Sequence, residues 1–342
     1  MRVFMRLLTL LSPFRWWIAL AIFLGCVTVA SNIGLLGMAA YLIADAALVP
    51  LLVLLTVPVF IVRLMGIVRP AARYAERLVS HDGVFRLLAR LRTWMYSRLE
   101  PRAPLHLLTH RSGDLLARLV ADIDELQNLY LRVVSPIIVA LAMSLFAFSL
   151  FSIFSSLLAW TALAFLLLAG LGLPLLTYLL ARGLGRRQLA LRAEQKAQIV
   201  DGVQGIQDIL AYGRSEEQLK KISRLDQALG TLQRRMARVS GLQEALNDLL
   251  MNLALWVLLA LAIPLVTAKA IDGVYLAVLA LLILASFEAI QPLAPAFQLL
   301  EHSLAAGRRL FSVADTPLAV IERPDPLPVP AGRTMRDYSL QF

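Results

Sequence analysis

The sequence predicts an all-α membrane protein with six transmembrane helices and two long cytoplasmic helical extensions. Three observations predict it. Hydrophobic residues make up 59% of the chain and charged residues 16%, with a mean hydropathy of +0.73, far from the soluble globular average. Uncharged runs of membrane-crossing length recur along the chain, and in lipid only helices or closed barrels satisfy the backbone. The basic residues are confined to a few blocks between those runs.

Taken in order, residues 1–15 carry Arg2 and Arg6 one turn apart, with Pro13 before the first uncharged run. That apolar run is too long for a cleaved signal peptide, and no small-residue cleavage site follows at the right distance. An interfacial amphipathic elbow helix is the expectation. Residues 16–44 form the first span. The second is expected from Ala46 to about Ile67, interrupted late by Arg63. Residues 133–181 form one uncharged run, too long for one helix and right for two. Residues 249–268 give the fifth span and 273–300 the sixth, with Glu288 inside it. The six spans and their extensions form one expected domain, 16–312. The single cysteine, Cys26, lies in apolar sequence and reads as a buried, inert thiol.

Charge sets the orientation. Of 33 Lys and Arg, three precede the first span, twelve lie in 63–132, twelve in 182–238 and five after residue 300. Lys269 alone remains for the other side. The positive-inside rule puts both termini and both extensions, about 68–132 and 182–240, in the cytoplasm, with small outer loops near Asp45, Phe154 and Lys269. The net charge of +10 is thus a topology signal, and no aromatic-basic platform points to nucleic acid.

Each extension reads as a helical hairpin with a tip. Pro101 and Pro104 break the first descending helix, and Ser112, Gly113 and Asp114 reopen one. At the second tip Gly213 and Ser215 separate two helical stretches, with Tyr212 at the apex. An aromatic apex on a short helix suits a partner's groove. Solvated turns are the plain alternative.

The strings SGDLLARLVADIDELQ and GIQDILAYGRSEEQ resemble the two coupling-helix regions of ABC exporters. RYAERLVSHDGVFRLLARLR and DELQNLYLRVVSPIIVAL are similar to the CydC-type subunits of thiol-reductant exporters that serve cytochrome bd assembly. The resemblance covers essentially the whole chain. It implies an ATP-driven exporter half, in the bacterial inner membrane, paired with a CydD-type half and moving glutathione or cysteine to the periplasm. It also implies that Arg111, Ser112, Gly113, Asp114, Leu115 and Leu116 couple to a nucleotide-binding domain. At the second tip Ile209, Leu210, Ala211, Tyr212, Gly213 and Arg214 would do the same. Residues 313–342 read as a Pro-rich linker and the start of such a domain. No phosphate-binding loop G-x-x-x-x-G-K-[ST] occurs in this sequence, so ATP enters only through a domain outside it, and no catalytic or metal-binding residue is assigned.

Two sets of charges stand out. Arg69, Arg73, Arg77 and His81 step by four residues along one helix face. Three explanations stay open: pairing with neighbouring acids, an anionic substrate held by Arg forks, and haem. Haem is implied by the resemblance, with His81 as axial ligand and Arg77 at a propionate. Against it, counting the helical rise from Ala46 puts His81 about 20 Å past the hydrocarbon boundary. His106, His110 and His302 are weaker candidates. The second set is Arg63 with Glu288, each about 15 residues from its span's outer end, at matching depth. Charges there usually face a cavity or each other. Arg63, Arg69, Arg73 and Glu288 are therefore the expected substrate-cavity residues. A haem-binding or regulatory membrane module without its own transport cycle is the alternative function.

Overall fold

The computed structural model describes residues 6–7, 12–48, 55–100, 112–181 and 183–315. All regular structure among them is helical. A 3-10 turn at Ser12–Phe14 leads into α1 (Arg15–Leu48), and α2 (Thr56–Leu99) follows. The next rod consists of α3 (Ser112–Asn128), a π segment (Leu129–Val134) and α4 (Ser135–Ser152). A tight turn at Phe154 reverses the chain, capped by the Ser155 hydroxyl on the Leu157 amide. Next come α5 (Ser156–Leu167), a π segment (Leu168–Gly172), α6 (Leu173–Ala181), α7 (Leu184–Gln204) and the short α8 (Ile206–Ala211). α9 (Ser215–Thr267) spans 53 residues, about 80 Å of helix. The last rod is α10 (Val274–Ser286), a 3-10 turn (Phe287–Ala289) and α11 (Leu293–Ala314).

Among the described residues, five helical segments are long and apolar enough to cross a membrane: Arg15–Leu48, Val120–Ser152, Ser156–Ala181, Ser215–Thr267 and Val274–Phe297. The expected second span needs a correction. Ala46 still belongs to α1, and α2 starts only at Thr56. No turn-forming residue stands at Ala46 to end the first helix, so it runs on. Every depth counted from Ala46 along the second rod moves accordingly.

Prolines mark the irregular points. Pro136 and Pro174 each follow a π segment, where a missing N–H leaves a carbonyl four residues back to find another partner. Pro292 and Pro295 withhold the donors that the carbonyls of Glu288 and Gln291 would take, so the last rod breaks between Phe287 and Pro292. Pro70, inside α2, removes the donor to the Gly66 carbonyl.

Two cores hold the rods. One lies within the spans and joins Ile33, Phe151, Leu158, Leu258, Ile283 and Phe287. It is tight where small residues permit: a Cβ on Gly37 would stand 2.8 Å from Leu282 Cδ2, so α1 and α10 approach there only because Gly37 has none. The second joins the far halves of α2 and α3 to the end of α11, with Val84, Leu91, Leu126, Tyr130 and Phe311. Leu7 of the N-terminal segment is buried in it, and Arg6 lies 4.2 Å above the Phe311 ring and pairs with Asp315. Arg309 reaches Asp122 with two nitrogens. That bidentate contact holds the Arg309 guanidinium above its ordinary pKa, outweighing partial burial. Cys26 is half-buried rather than enclosed.

Candidate functional site

Glu288 sits on the 3-10 turn where the last rod breaks, with its side chain 20% exposed. Arg69 Nη2 donates to both of its carboxylate oxygens, at 3.1 and 3.3 Å. Arg73 Nη2 donates to Oε1 at 3.2 Å, and the Asn32 amide donates to Oε2. Three rods thus converge on one carboxylate. Arg69 and Arg73 lie one turn apart on α2, where their charges would repel without a shared anion. Two guanidinium groups on one carboxylate leave one positive charge in excess. Asn32 is 6% exposed, and its Oδ1 accepts no hydrogen bond among the described residues.

Arg63, expected to face Glu288, is exposed and makes no ion pair with it. The register explains this. From Thr56, Arg63 lies only about 10 Å along α2, whereas Arg69 and Arg73 lie about 20 and 26 Å along it. Glu288 is about 21 Å from Val274 by the same rise. Val57 and Pro58 line one cavity with Tyr41 and Tyr275, so the two rods start level. That cavity, about 520 Å³ and mostly apolar, lies at the starts of α2 and α10, between α1, α2, α4 and α10.

Farther along α2 the ladder changes character. Arg77 makes no ion pair among the described residues, and Glu76 instead accepts from the Ser80 hydroxyl at 3.1 Å. Asp82 pairs with Arg86 at 2.9 Å and Asp124 with Arg92 at 2.8 Å. Acids thus answer Arg69 and Arg73 jointly and Arg86 and Arg92 singly, but not Arg77 among the described residues. His81 is exposed, its ring 6.4 Å from Phe85, on a face shared with the exposed Tyr74 and Leu78. Counted from Thr56 it lies about 38 Å along the helix, under 10 Å past a hydrocarbon core of about 30 Å. His302 is exposed beside α6 and α9. Pro101, Pro104, His106, His110 and Arg111, and all but the start of the expected linker at 313–342, fall outside the described residues.

At the second tip α8 buries nothing: Ile206, Leu210 and Tyr212 are all exposed, Tyr212 at 79%. Gly213 has φ +64°, the left-handed region. Its N–H donates to the Leu210 carbonyl and that of Arg214 to the Ile209 carbonyl, a Schellman closure that turns the chain into α9. Ile209, half-buried, steadies the turn, while Ala211, Tyr212, Gly213 and Arg214 face outward. At the first tip α3 opens at Ser112, so Gly113, Asp114, Leu115 and Leu116 occupy its first turns.

A second polar cluster had no counterpart in the sequence reading. Ser240, Gln243, Glu244, Asn247 and Asp248 form one face of α9 and, with Gln291 at the helix break, line a cavity of about 540 Å³. The i, i+3, i+4, i+7, i+8 spacing that could have revealed it sits just before the fifth uncharged run.

Comparison with known proteins agrees with this architecture. Residues 86–288 match the model of the ABC transporter transmembrane region. The chain is 32% identical over 319 residues to the Escherichia coli K12 glutathione/L-cysteine transport system ATP-binding/permease protein CydC, covering 92% of this chain and 56% of that protein. The protein of the same name from Haemophilus influenzae is 29% identical, over 92% of this chain and 55% of its own length. The corresponding CydD of Bacillus subtilis is 35% identical over 200 residues, 57% of this chain and 34% of that protein. The chain spans about half the length of the CydC relatives it matches. It belongs to the ABC transporter transmembrane-region family, as a membrane domain of the CydC type.

Proposed function

We propose that this chain is the membrane-spanning half of a heterodimeric, ATP-driven exporter. It moves a small thiol, glutathione or cysteine, from cytoplasm to periplasm in support of cytochrome bd assembly. The observation that carries the reading is the Glu288 cluster: two guanidinium groups share one carboxylate at membrane depth, beside a broken helix. Charges held inside a span face a water path or one another, and a guanidinium fork suits the carboxylate that both thiols carry. The names of the E. coli and H. influenzae relatives support the same substrate class. A CydD-type half completes the path, and nucleotide-binding domains supply ATP hydrolysis. The exposed apolar α8 and the start of α3 dock into them, and their movement shifts the rods around the break at residues 287–292. The chain lies in the bacterial inner membrane with both termini cytoplasmic, a placement that its charge asymmetry supports. The test is ATP-dependent uptake of cysteine and glutathione into inverted vesicles holding the complete complex. Uptake above that of a hydrolysis-dead complex supports the reading, and its absence for both thiols overturns it.

A second reading, a haem-binding module, is favoured by the geometry around His81. An exposed imidazole, an Arg77 without an ion pair among the described residues, and the exposed Tyr74, Leu78 and Phe85 share one face of the middle of α2 near the expected membrane surface. These residues fit a haem edge: His81 would ligate the iron and Arg77 would pair with a propionate. Bound there, haem would supply an iron centre that takes an axial imidazole. In the assembled complex His81→Ala should abolish the Soret band at unchanged abundance, with Arg77→Gln weakening it less. A full band in the His81 variant removes this reading.

A further inference from the structure

We infer that the polar cavity between α6, α9 and the helix break is a binding site for an ammonium group, the amino end of the transported molecule. The identity of that molecule rests on the proposed thiol transport; the charge preference of the cavity does not. Glu244 and Asp248 lie one turn apart on α9 and both line the cavity, and no Lys or Arg lines it. In a chain with 33 basic residues these two carboxylates make no ion pair among the described residues. Some acids of the extensions do meet a base, such as Asp82 with Arg86, Asp124 with Arg92 and Glu217 with Lys221. Like charges one turn apart destabilise a helix unless a cation answers them.

The independent sign is Gln243. It is 6% exposed, lines the same cavity, and its side chain makes no hydrogen bond among the described residues. Buried amides are nearly always hydrogen-bonded, and one that lines a cavity without a protein partner is free to bond a ligand there. Ser240, Asn247 and Gln291 add further acceptors on the same wall. An ammonium offers three donors and no acceptor; two carboxylates and several amide oxygens complement it. The opposite charge preference lies across the break, three residues from Gln291, where Arg69 and Arg73 carry the excess positive charge at Glu288. The broken rod thus separates a wall that favours carboxylate from a wall that favours ammonium. This matches a molecule with both groups.

The test uses the complete complex in vesicles and compares ATP-dependent uptake of L-cysteine and N-acetyl-L-cysteine. The native complex should prefer the free amine by about tenfold or more, as expected for a charged hydrogen bond. The Glu244→Gln/Asp248→Asn pair should lose that preference through KM while kcat holds. An unchanged preference in the pair, with thiol uptake intact, overturns the inference and leaves the transport reading standing. A second measurement is independent of thiol transport. With Cys26→Ser and Ser240→Cys, an ammonium-bearing methanethiosulfonate should react several-fold faster than a sulfonate-bearing one, and the neutral pair should erase the difference. Equal rates in the parent sink the inference even if no thiol is transported.

Discussion

Arg69, Arg73, Asn32 and Glu288 form a network in which each member's cost of burial depends on the others. A double-mutant cycle of Arg69→Gln and Glu288→Gln in the assembled complex should give a coupling energy of about 1 kcal/mol, small because Arg69 is partly exposed. Additivity would dissolve the pair into a surface contact. Arg73→Gln should raise the KM for glutathione by about tenfold and leave basal ATPase alone, since it removes a charged hydrogen bond to the anion. At this scale the sequence was half legible. The need for a partner to Glu288 followed from its burial in an apolar run, and depth counting was the right tool. The count failed because it started at Ala46, where nothing in the sequence marks that the first helix continues to Leu48. Shifting the start to Thr56 replaces Arg63 with Arg69 and Arg73, and brings His81 to the expected membrane surface.

Among the elements, the two extensions carry the most testable structure. Gly213 closes α8 with φ +64°, so Gly213→Ala should cost about 1–2 kcal/mol locally. Faster amide exchange of residues 209–216 would report it. Tyr212→Ala should leave folding and basal ATPase unchanged and cut substrate-stimulated ATPase, because the Tyr212 side chain is largely exposed. Asp122→Asn removes the carboxylate that Arg309 grips across α3 and α11. It should lower the Tm of the complex by a few degrees, corresponding to about 2 kcal/mol. Retained Tm would mean that the apolar core around Phe311 holds the rods alone. The second hairpin and the loosened last rod were readable because Gly and Pro punctuate them, and the turn at Phe154 because the uncharged run of residues 133–181 is too long for one helix. The π segments and the Asp122–Arg309 grip were not, because they depend on which rods become neighbours.

For the whole molecule, the charge asymmetry predicts both tips at one side of the membrane. Cysteines placed at Ser112 and Tyr212 should label only from the cytoplasmic face, and periplasmic labelling at either would break the topology. The all-helical membrane class was legible because lipid leaves the backbone few choices. The cavity lined by Gln243, Glu244 and Asp248 was not, because it forms only where α9 meets the broken last rod. The central claim joins these scales: a charge cluster at membrane depth, linked by long rods to tips that a nucleotide-binding domain can move. It is tested most directly by ATP-driven thiol uptake into inverted vesicles carrying the complete complex, native and Glu288→Gln, at matched abundance. The account predicts robust uptake of cysteine or glutathione by the native complex and a loss of about tenfold or more in the variant. Equal uptake by the two, or none by the native complex, would contradict it.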